Sequence, residues 1–391
     1  MLLTELDRQR LGEALALAEQ SVGLSDPNPR VGCMLGYPDG SVVGRGWTQE
    51  AGGPHAEVMA LRDAQSRGLD PAGATAWVTL EPCAHHGRTP PCCDALIAAG
   101  ISRAVVAVQD PFPDVAGEGI RRLRAASLQV DLADADIALA AREINLGFFS
   151  RIERGRPWVR AKVAASIDGL TALPDGRSQW ITSAQARADG HLWRRRANAI
   201  LTGIGTVLAD DPRMDVRPAP QAGQPLRVIV DSTLRCPVSA RVLQPPGQVC
   251  IVTADDQAAP AALLRDLGAS VLALPAPVST AGTLSRPGVD LPGLLNWLAT
   301  QGVNELHVEA GATLQGALAQ ADLVDEWLIY LAPVWLGQGQ RMLALPAAAD
   351  LATLPRWALV EQTRIGPDLR LRLRRPRRGA SGYLTDDSGN P

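Results

Sequence analysis

Cysteine is scarce in this chain. Six in 391 residues are too few to staple a protein of this length, which excludes the disulfide-built secreted scaffolds. Long apolar runs are missing too: none reaches the roughly 18 to 20 residues a bilayer-spanning helix needs. The opening segment Met1–Glu19 mixes acidic and basic residues with Leu and Ala where a secretory leader would set a basic start before an apolar stretch. A cytoplasmic location and no membrane partner are the expectation. Nor is there a charge excess. Lys and Arg total 38 against 41 Asp and Glu, a net −3, which supplies no bulk attraction to nucleic acid and points to a small-molecule ligand. There is no internal repeat.

What the chain does have is length and alternation. It exceeds the roughly 100 to 200 residues of one ordinary domain, so two are expected. Apolar periodicity predicts a helix over Leu6–Val22, strands at Val31–Leu35 and Ser41–Gly44, and a helix over Ala56–Arg67 closed by Gly68. A strand at Ala74–Leu80, a Pro/Gly-rich loop, a helix at Cys92–Ala99, a strand at Ala104–Val108 and helices near Gly119–Ala126 and Ala135–Gly147 follow. The charged, Gly- and Pro-containing segment Arg151–Pro157 reads as the boundary between domains at 1–150 and 157–375. Beyond it the pattern predicts strands at Trp158–Ala164, Ala199–Thr202, Leu226–Val230, Val249–Thr253, Leu306–Glu309 and Glu326–Leu331. Helices are predicted at Ser183–Arg195, Pro260–Leu267, Leu291–Thr300 and Thr313–Ala319. Both halves read as α/β layers, and residues 376–391, polar and rich in Gly, Ser and Asp, as a disordered tail.

Three of the six cysteines, Cys83, Cys92 and Cys93, fall within eleven residues, a clustering that favours metal or catalysis; Cys33, Cys236 and Cys250 read as small core residues. Pro54-His55-Ala56-Glu57 opens a helix, and the later strand ends in Thr79-Leu80-Glu81-Pro82-Cys83. This looks like the H-x-E…P-C signature of zinc nucleobase deaminases, in which one His and two Cys hold the metal and the Glu stays off it. The residue types suit the chemistry. Water attacks poorly near neutrality, three protein ligands leave a zinc position where its pKa falls, and a carboxylate beside it can carry protons. The third ligand is open between Cys92 and His86, which stands where the second cysteine usually lies. Pro91 sets Cys92 at a helix N-terminus, where a thiolate is favoured, so Cys92 is preferred and Cys93 is assigned to packing.

Pro27-Asn28-Pro29 with Val31-Gly32, Gly53 to Glu57, and Thr79 to Asp94 (TLEPCAHHGRTPPCCD) resemble the bifunctional deaminase-reductases of riboflavin biosynthesis. In that family an insert separates the two metal cysteines, which supports Cys92 over His86. The resemblance implies that Asn28 meets the pyrimidine and that His85 and Arg88 lie near the phosphoribosyl group. Ala84 and Asp26 depart from residues common in the family, Ser and His.

By residue type alone the second half offers two Gly-containing turns after strands, Gly203-Ile204-Gly205-Thr206 and Glu309-Ala310-Gly311-Ala312-Thr313, either able to approach a phosphate. Lys162 to Gly169, Ser178 to Thr182, Gly205 to Pro212 and Val308 to Gly311 resemble the family's reductase motifs. The implied architecture is a cytidine-deaminase-like zinc domain followed by a dihydrofolate-reductase-like α/β domain that uses NADPH. Ala164, Trp180, Thr206, Asp210, Ser232 and the loop from Gly311 would meet the cofactor. Ser178, Arg194, Arg217 and Glu309 would meet the substrate, whose phosphate suits forked guanidiniums. Arg195 and Arg196 read as a solvated helix face.

The implied activity is hydrolytic deamination of a diaminopyrimidine ribotide and NADPH-dependent reduction of its ribosyl group to ribityl, with one zinc per chain and a homo-oligomeric assembly. A nucleic-acid-editing deaminase would share the metal site but needs a basic surface for the strand. A non-enzymatic zinc-stabilised binding protein would leave Glu57 unexplained.

Overall fold

Side chains that alternate between two covered faces organise the first sheet. The computed structural model describes residues 3–84, 90–112, 116–218, 223–277 and 288–376. Helix α1 (Glu5–Ala18) starts at a capping box, in which the Thr4 hydroxyl accepts from the Asp7 amide and the Asp7 carboxylate accepts from Thr4. There follow β1 (Gly32–Gly36), β2 (Val42–Trp47), α2 (Ala56–Ser66), β3 (Thr75–Val78), α3 (Cys92–Ala98), β4 (Arg103–Val106), α4 (Glu118–Ala125), β5 (Gln129–Leu132), α5 (Ala135–Ile144) and α6 (Leu146–Arg154). The sheet order is β2-β1-β3-β4-β5, with β1 antiparallel to both neighbours and β3, β4 and β5 parallel. Cys33, Leu35, Ala76, Val78, Ala104 and Val106 pack with α2, α3 and α4 on one face. Met34, Trp77 and Val105 meet α1 and Ala141 of α5 on the other, giving three layers.

The second sheet is built from β6 (Trp158–Ser166), β8 (Ala199–Gly203), β9 (Leu226–Val230), β10 (Val249–Thr253), β11 (Ser270–Ala273), β12 (Glu305–Val308), β13 (Glu326–Ala332), β15 (Ala358–Ile365) and β16 (Asp368–Arg374), with β7 (Leu170–Ala172) and β14 (Gln340–Arg341) forming a separate pair. Its order is β11-β10-β9-β8-β12-β6-β13-β16-β15, parallel from β11 through β13 and antiparallel at β16 and β15. Helices α7 (Ala184–Arg196), α8 (Ile204–Asp210), α9 (Pro260–Asp266), α10 (Leu291–Thr300) and α11 (Ala312–Gln320) cover it. Leu201, Val228 and Val252 face α10 and α11, whereas Ile200, Ile229 and Ile251 face α8 and α9.

Several elements depart from the sequence reading. The helix expected over Ala135–Gly147 is two helices broken at Asn145, whose side chain instead brackets the Arg30 backbone, accepting from its N–H at 2.7 Å and donating to its carbonyl at 2.8 Å. The expected boundary Arg151–Pro157 begins inside α6, which stops only at Gly155 in the left-handed region, φ 67°. Strands β5, β7, β11, β14, β15 and β16, helix α8 and all of α6 beyond Gly147 were not foreseen. Short and half-exposed strands such as β5 and β15 carry little apolar periodicity.

The two sheets are tied by buried charge. Arg30, before β1, donates to Glu305 of β12 at 2.6 Å, and Glu305 also accepts from Arg160 of β6 at 2.7 Å. Arg160, 1 % exposed, reaches on to Glu326. Arg372 and Arg374 bind Glu326 from its other side, at 3.0 and 2.6 Å, and extend to Glu143 of α5. The chain of alternating charges thus leaves the first half and returns to it. Arg196 belongs here and not to solvent: its guanidinium donates to the Ile144 carbonyl at 3.1 Å and lies 3.4 Å from Glu305, while Arg195 is exposed as expected. No helix among the described residues is long and apolar enough to cross a membrane.

Candidate functional site

Glycine brings α2 onto the sheet. A Cβ at Gly46 would lie 2.2 Å from the Ala56 carbonyl and one at Gly44 2.1 Å from that of Ala60, so only the missing side chains let the helix backbone approach. His55 caps that helix and Glu57 stands in its first turn. The strand–loop Leu80–Cys83 arrives beside it. There Glu81 accepts from the backbone amides of Asp110, Gly117 and Ile120 at 3.2, 3.0 and 3.0 Å, which ties the loop to the start of α4.

The His55 Nδ1 lies 3.6 Å from Cys83 Sγ and 3.3 Å from Cys92 Sγ, and all three ligand atoms fall within 4.8 Å of one another. Two soft thiols and an imidazole converging on one point match the donor set and count of a catalytic zinc, three protein ligands with one position left over. The electrostatics agree. The hydrogen bond with Cys92, and then His55, pull the Cys83 thiol down to about 4 against its burial, while the same partnership pushes Cys92 up. A second thiolate is disfavoured beside the first, and a divalent cation between them removes that penalty. The amide expected to favour a Cys92 thiolate in fact points at the neighbour: Cys92 N donates to Cys83 Sγ at 3.3 Å. Cys93 packs against the Pro82 carbonyl at 3.2 Å. Cys33, Cys236 and Cys250 are buried and unpaired.

Glu57 is 3 % exposed and adjoins the trio. Burial, then the Cys83 charge, push its carboxyl up to about 7, a range in which a carboxyl can both take and release a proton near neutrality. Asn28 precedes β1 on a tight turn, its amide bonded to the Ser25 carbonyl at 2.9 Å. His85, His86 and Arg88 lie outside the described residues.

In the second sheet, three of the six expected cofactor residues follow directly on the C-terminal ends of parallel strands, where open α/β sheets bind ligands. Thr206 follows β8 in α8, Ser232 follows β9, and Gly311 follows β12. A Cβ at Gly311 would lie 3.8 Å from Thr206 Oγ1, so those two turns adjoin. Asp210 ends α8 near Ser178, which brings an expected cofactor residue beside an expected substrate residue. Ala164 lies within β6 opposite Tyr330, and Trp180 is 69 % exposed with the Arg187 guanidinium 4.3 Å above its ring.

Glu309, the residue after β12, is at the centre of a charged cluster. Arg194 grips it with a fork, one arm at 2.9 Å, and also donates to the Asp215 carbonyl at 2.9 Å. His307 Nε2 lies 3.2 Å and Lys162 Nζ 4.0 Å from it. Although burial opposes it, Arg194 and then Lys162 hold the Glu309 carboxyl well below its ordinary range. Burial lowers Lys162 and keeps His307 toward its neutral form. Arg217 reaches Asp215 at 3.2 Å with most of its side chain exposed. Sequence reading missed Lys162 and His307 as individual residues of this cluster, although alternation places His307 on the face of Glu309, and it missed the anchoring by Glu81.

The family model for the cytidine and deoxycytidylate deaminase zinc-binding region matches residues 4–108, and that for the RibD C-terminal domain matches residues 157–371. The chain is 43 % identical over 380 residues to the riboflavin biosynthesis protein RibD of Escherichia coli, covering 94 % of this chain and 99 % of that one. It is 39 % identical to RibD of Aquifex aeolicus, over 86 % and 90 %. Among solved structures, Acinetobacter baumannii RibD is similar at TM-score 0.84 with 38 % identity, covering 95 % and 99 %. A diaminohydroxyphosphoribosylaminopyrimidine deaminase/5-amino-6-(5-phosphoribosylamino)uracil reductase of Thermotoga maritima is similar at TM-score 0.82 with 28 % identity over the same shares.

Proposed function

The chain belongs to the RibD family of bifunctional riboflavin-biosynthesis enzymes, and on that premise we propose which of its residues perform each reaction. The enzyme deaminates a diaminopyrimidine ribotide with zinc and reduces the ribosyl group of the product with NADPH. His55, Cys83 and Cys92 hold the zinc. When bound, the metal lowers the pKa of water and so supplies the nucleophile near neutrality. Glu57 accepts the water proton on its carboxylate and delivers it to the ring nitrogen, then takes a second proton from the hydroxyl added to the ring carbon and delivers that one to the amine, which leaves as ammonia when its C–N bond breaks. The burial that pushes Glu57 up to about 7 favours both transfers. Asn28 orients the pyrimidine.

In the second unit NADPH supplies the hydride. Ala164, Trp180, Thr206, Asp210, Ser232 and Gly311 hold the cofactor along the strand ends, and Ser178, Arg194, Arg217 and Glu309 hold the substrate. Arg217 is the guanidinium exposed toward solvent and suits the phosphate dianion. Arg194 is committed to Glu309, so it orients that carboxylate. We place the domains at 1–150 and 157–375 with 376–391 as a tail, the enzyme in the cytoplasm as a homo-oligomer, and no nucleic acid or membrane among its partners.

The convergence of His55, Cys83 and Cys92 beside buried Glu57 carries this reading. Purified enzyme is expected to hold about one zinc per chain, to release ammonia from the diaminopyrimidine ribotide without NADPH, and to oxidise NADPH only afterwards. Chelation should stop ammonia release and spare NADPH oxidation with the deaminated ribotide supplied; ammonia release surviving full removal of zinc would refute the metal assignment.

A further inference from the structure

The turn that carries Asn28 is held from the other half of the molecule. The Asn304 amide, just before β12, donates to Asp26 Oδ1 at 2.9 Å and to the Pro27 carbonyl at 3.1 Å, and its oxygen accepts from Arg151 Nε at 2.7 Å. Arg30, at the turn's far end, donates to Glu305 at 2.6 Å and to the Arg196 carbonyl at 2.7 Å. Thus both flanks of Asn28 are bonded to residues of the reductase unit. The fit is close enough that a Cβ at Gly147 would lie 2.6 Å from the Asn304 backbone, and a Cβ at Gly302 3.2 Å from the Pro27 ring. Asp26, Asn28, Arg30, Asn304 and Glu305 share the walls of one crevice between the halves.

We propose that Asn304 is a positioning residue for the deamination reaction, setting the Asp26–Arg30 turn so that Asn28 meets the pyrimidine. The inference rests on the proposed role of Asn28. A turn of five residues has no internal ladder to define it, and its geometry is set by whatever its side chains and carbonyls bond to. Here Asn304, Glu305 and the Arg196 carbonyl supply part of those partners, beside Asn145, Ile144 and Arg151, so the first reaction borrows part of its substrate-recognition geometry from the unit that performs the second. Glu57 and the residues that would hold zinc belong to α2 and its cap, α3 and the Cys83 loop, elements braced within their own half, and the bonds that join His55, Cys83 and Cys92 do not involve Asn304. A displaced turn therefore weakens binding and leaves the chemical step intact, which separates positioning from general support.

The test uses the full-length zinc enzyme. Asn304→Ala is expected to raise KM for deamination about fivefold or more with kcat within about twofold, with zinc content and NADPH oxidation of supplied deaminated ribotide unchanged. Asp26→Ala removes the same contact from the other side and should raise the same KM, should Asn304→Ala fold poorly. Asn28→Ala should raise KM as well, and Asn28→Ala/Asn304→Ala should be no worse than Asn28→Ala alone, because both act through one contact. Unchanged deamination KM in Asn304→Ala and Asp26→Ala while Asn28→Ala raises it overturns the proposal and spares the Asn28 reading. A KM rise in Asn304→Ala with none in Asn28→Ala keeps the anchoring and overturns the role of Asn28. Parallel loss of both activities, or additive effects, reduces Asn304 to a structural residue and overturns the proposal.

Discussion

Glu57 is a buried carboxyl and Glu309 a half-buried one, and their surroundings drive them in opposite directions. Burial, and then the negative charge at Cys83, push Glu57 up to about 7, whereas Glu309 faces Arg194 and Lys162 and is held well below its ordinary range despite its desolvation. The first is fitted to move protons and the second to stay ionised. Glu57→Gln keeps shape and burial but cannot carry the proton. Metal analysis should find its zinc unchanged and ammonia assays a fall of about 10²- to 10⁴-fold, with the reductase step untouched; turnover near the parent's would remove Glu57 from the chemistry. Arg194→Lys replaces a two-armed grip on Glu309 by a single point of charge, and steady-state NADPH kinetics should show KM for the deaminated ribotide up by about tenfold while deamination is unchanged. Residue types made Glu57 legible, because a carboxylate two positions after a histidine at a helix start has few other uses. Lys162 and His307 were not, since each reads as an ordinary strand residue until β6 and β12 pair in parallel, Leu306 beside Val159.

Among the elements, α2 shows how close approach builds the metal site. Ala56, Ala60 and Ala64 are fully buried on the face that Gly44 and Gly46 admit. Gly46→Ala would place a methyl 2.2 Å from the Ala56 carbonyl, next to His55. Calorimetry should show the first unit destabilised by about 1–3 kcal/mol and metal analysis a weakened hold on zinc; an unshifted transition with full zinc would show that the helix has room to spare. Apolar periodicity placed helices at Leu6–Val22, Ser183–Arg195 and Leu291–Thr300, and in the structure the side chains of Thr4, Ser183 and Asp290 cap their first amides. The break at Asn145 was not, for nothing in Arg-Glu-Ile-Asn-Leu-Gly interrupts a helical pattern. The helix parts there because the Asn145 side chain finds the Arg30 backbone, more than a hundred residues earlier.

At the scale of the molecule, the buried charges between the halves set the response to acid. Burial alone would raise the Glu305 carboxyl, but Arg30, Arg196 and Arg160 bring it down to about 2, and Glu326 is lowered likewise by Arg160, Arg372 and Arg374. A carboxyl whose folded pKa is depressed contributes stability above its unfolded pKa and loses that contribution as pH falls toward the folded value. Urea unfolding should therefore show stability declining from about pH 4.5 toward about pH 2. Glu305→Gln should be destabilised at pH 7 by about 3–5 kcal/mol, because Arg30 and Arg160 are left facing a neutral group, and should show a shallower acid decline; an acid limb as steep as the parent's would assign the dependence elsewhere. The α/β class of both halves, the candidate His55, Cys83 and Cys92 trio with Glu57 beside it, and the family could be read along the chain, because strand and helix periods and a metal motif are local patterns within tens of residues. Which residues surround Glu309, why α5 ends at Asn145 and how the Asn28 turn is held were decided only when distant segments met. Buried ion pairs such as Arg30 with Glu305 carry no sequence period, and their partners become defined only once both sheets have formed.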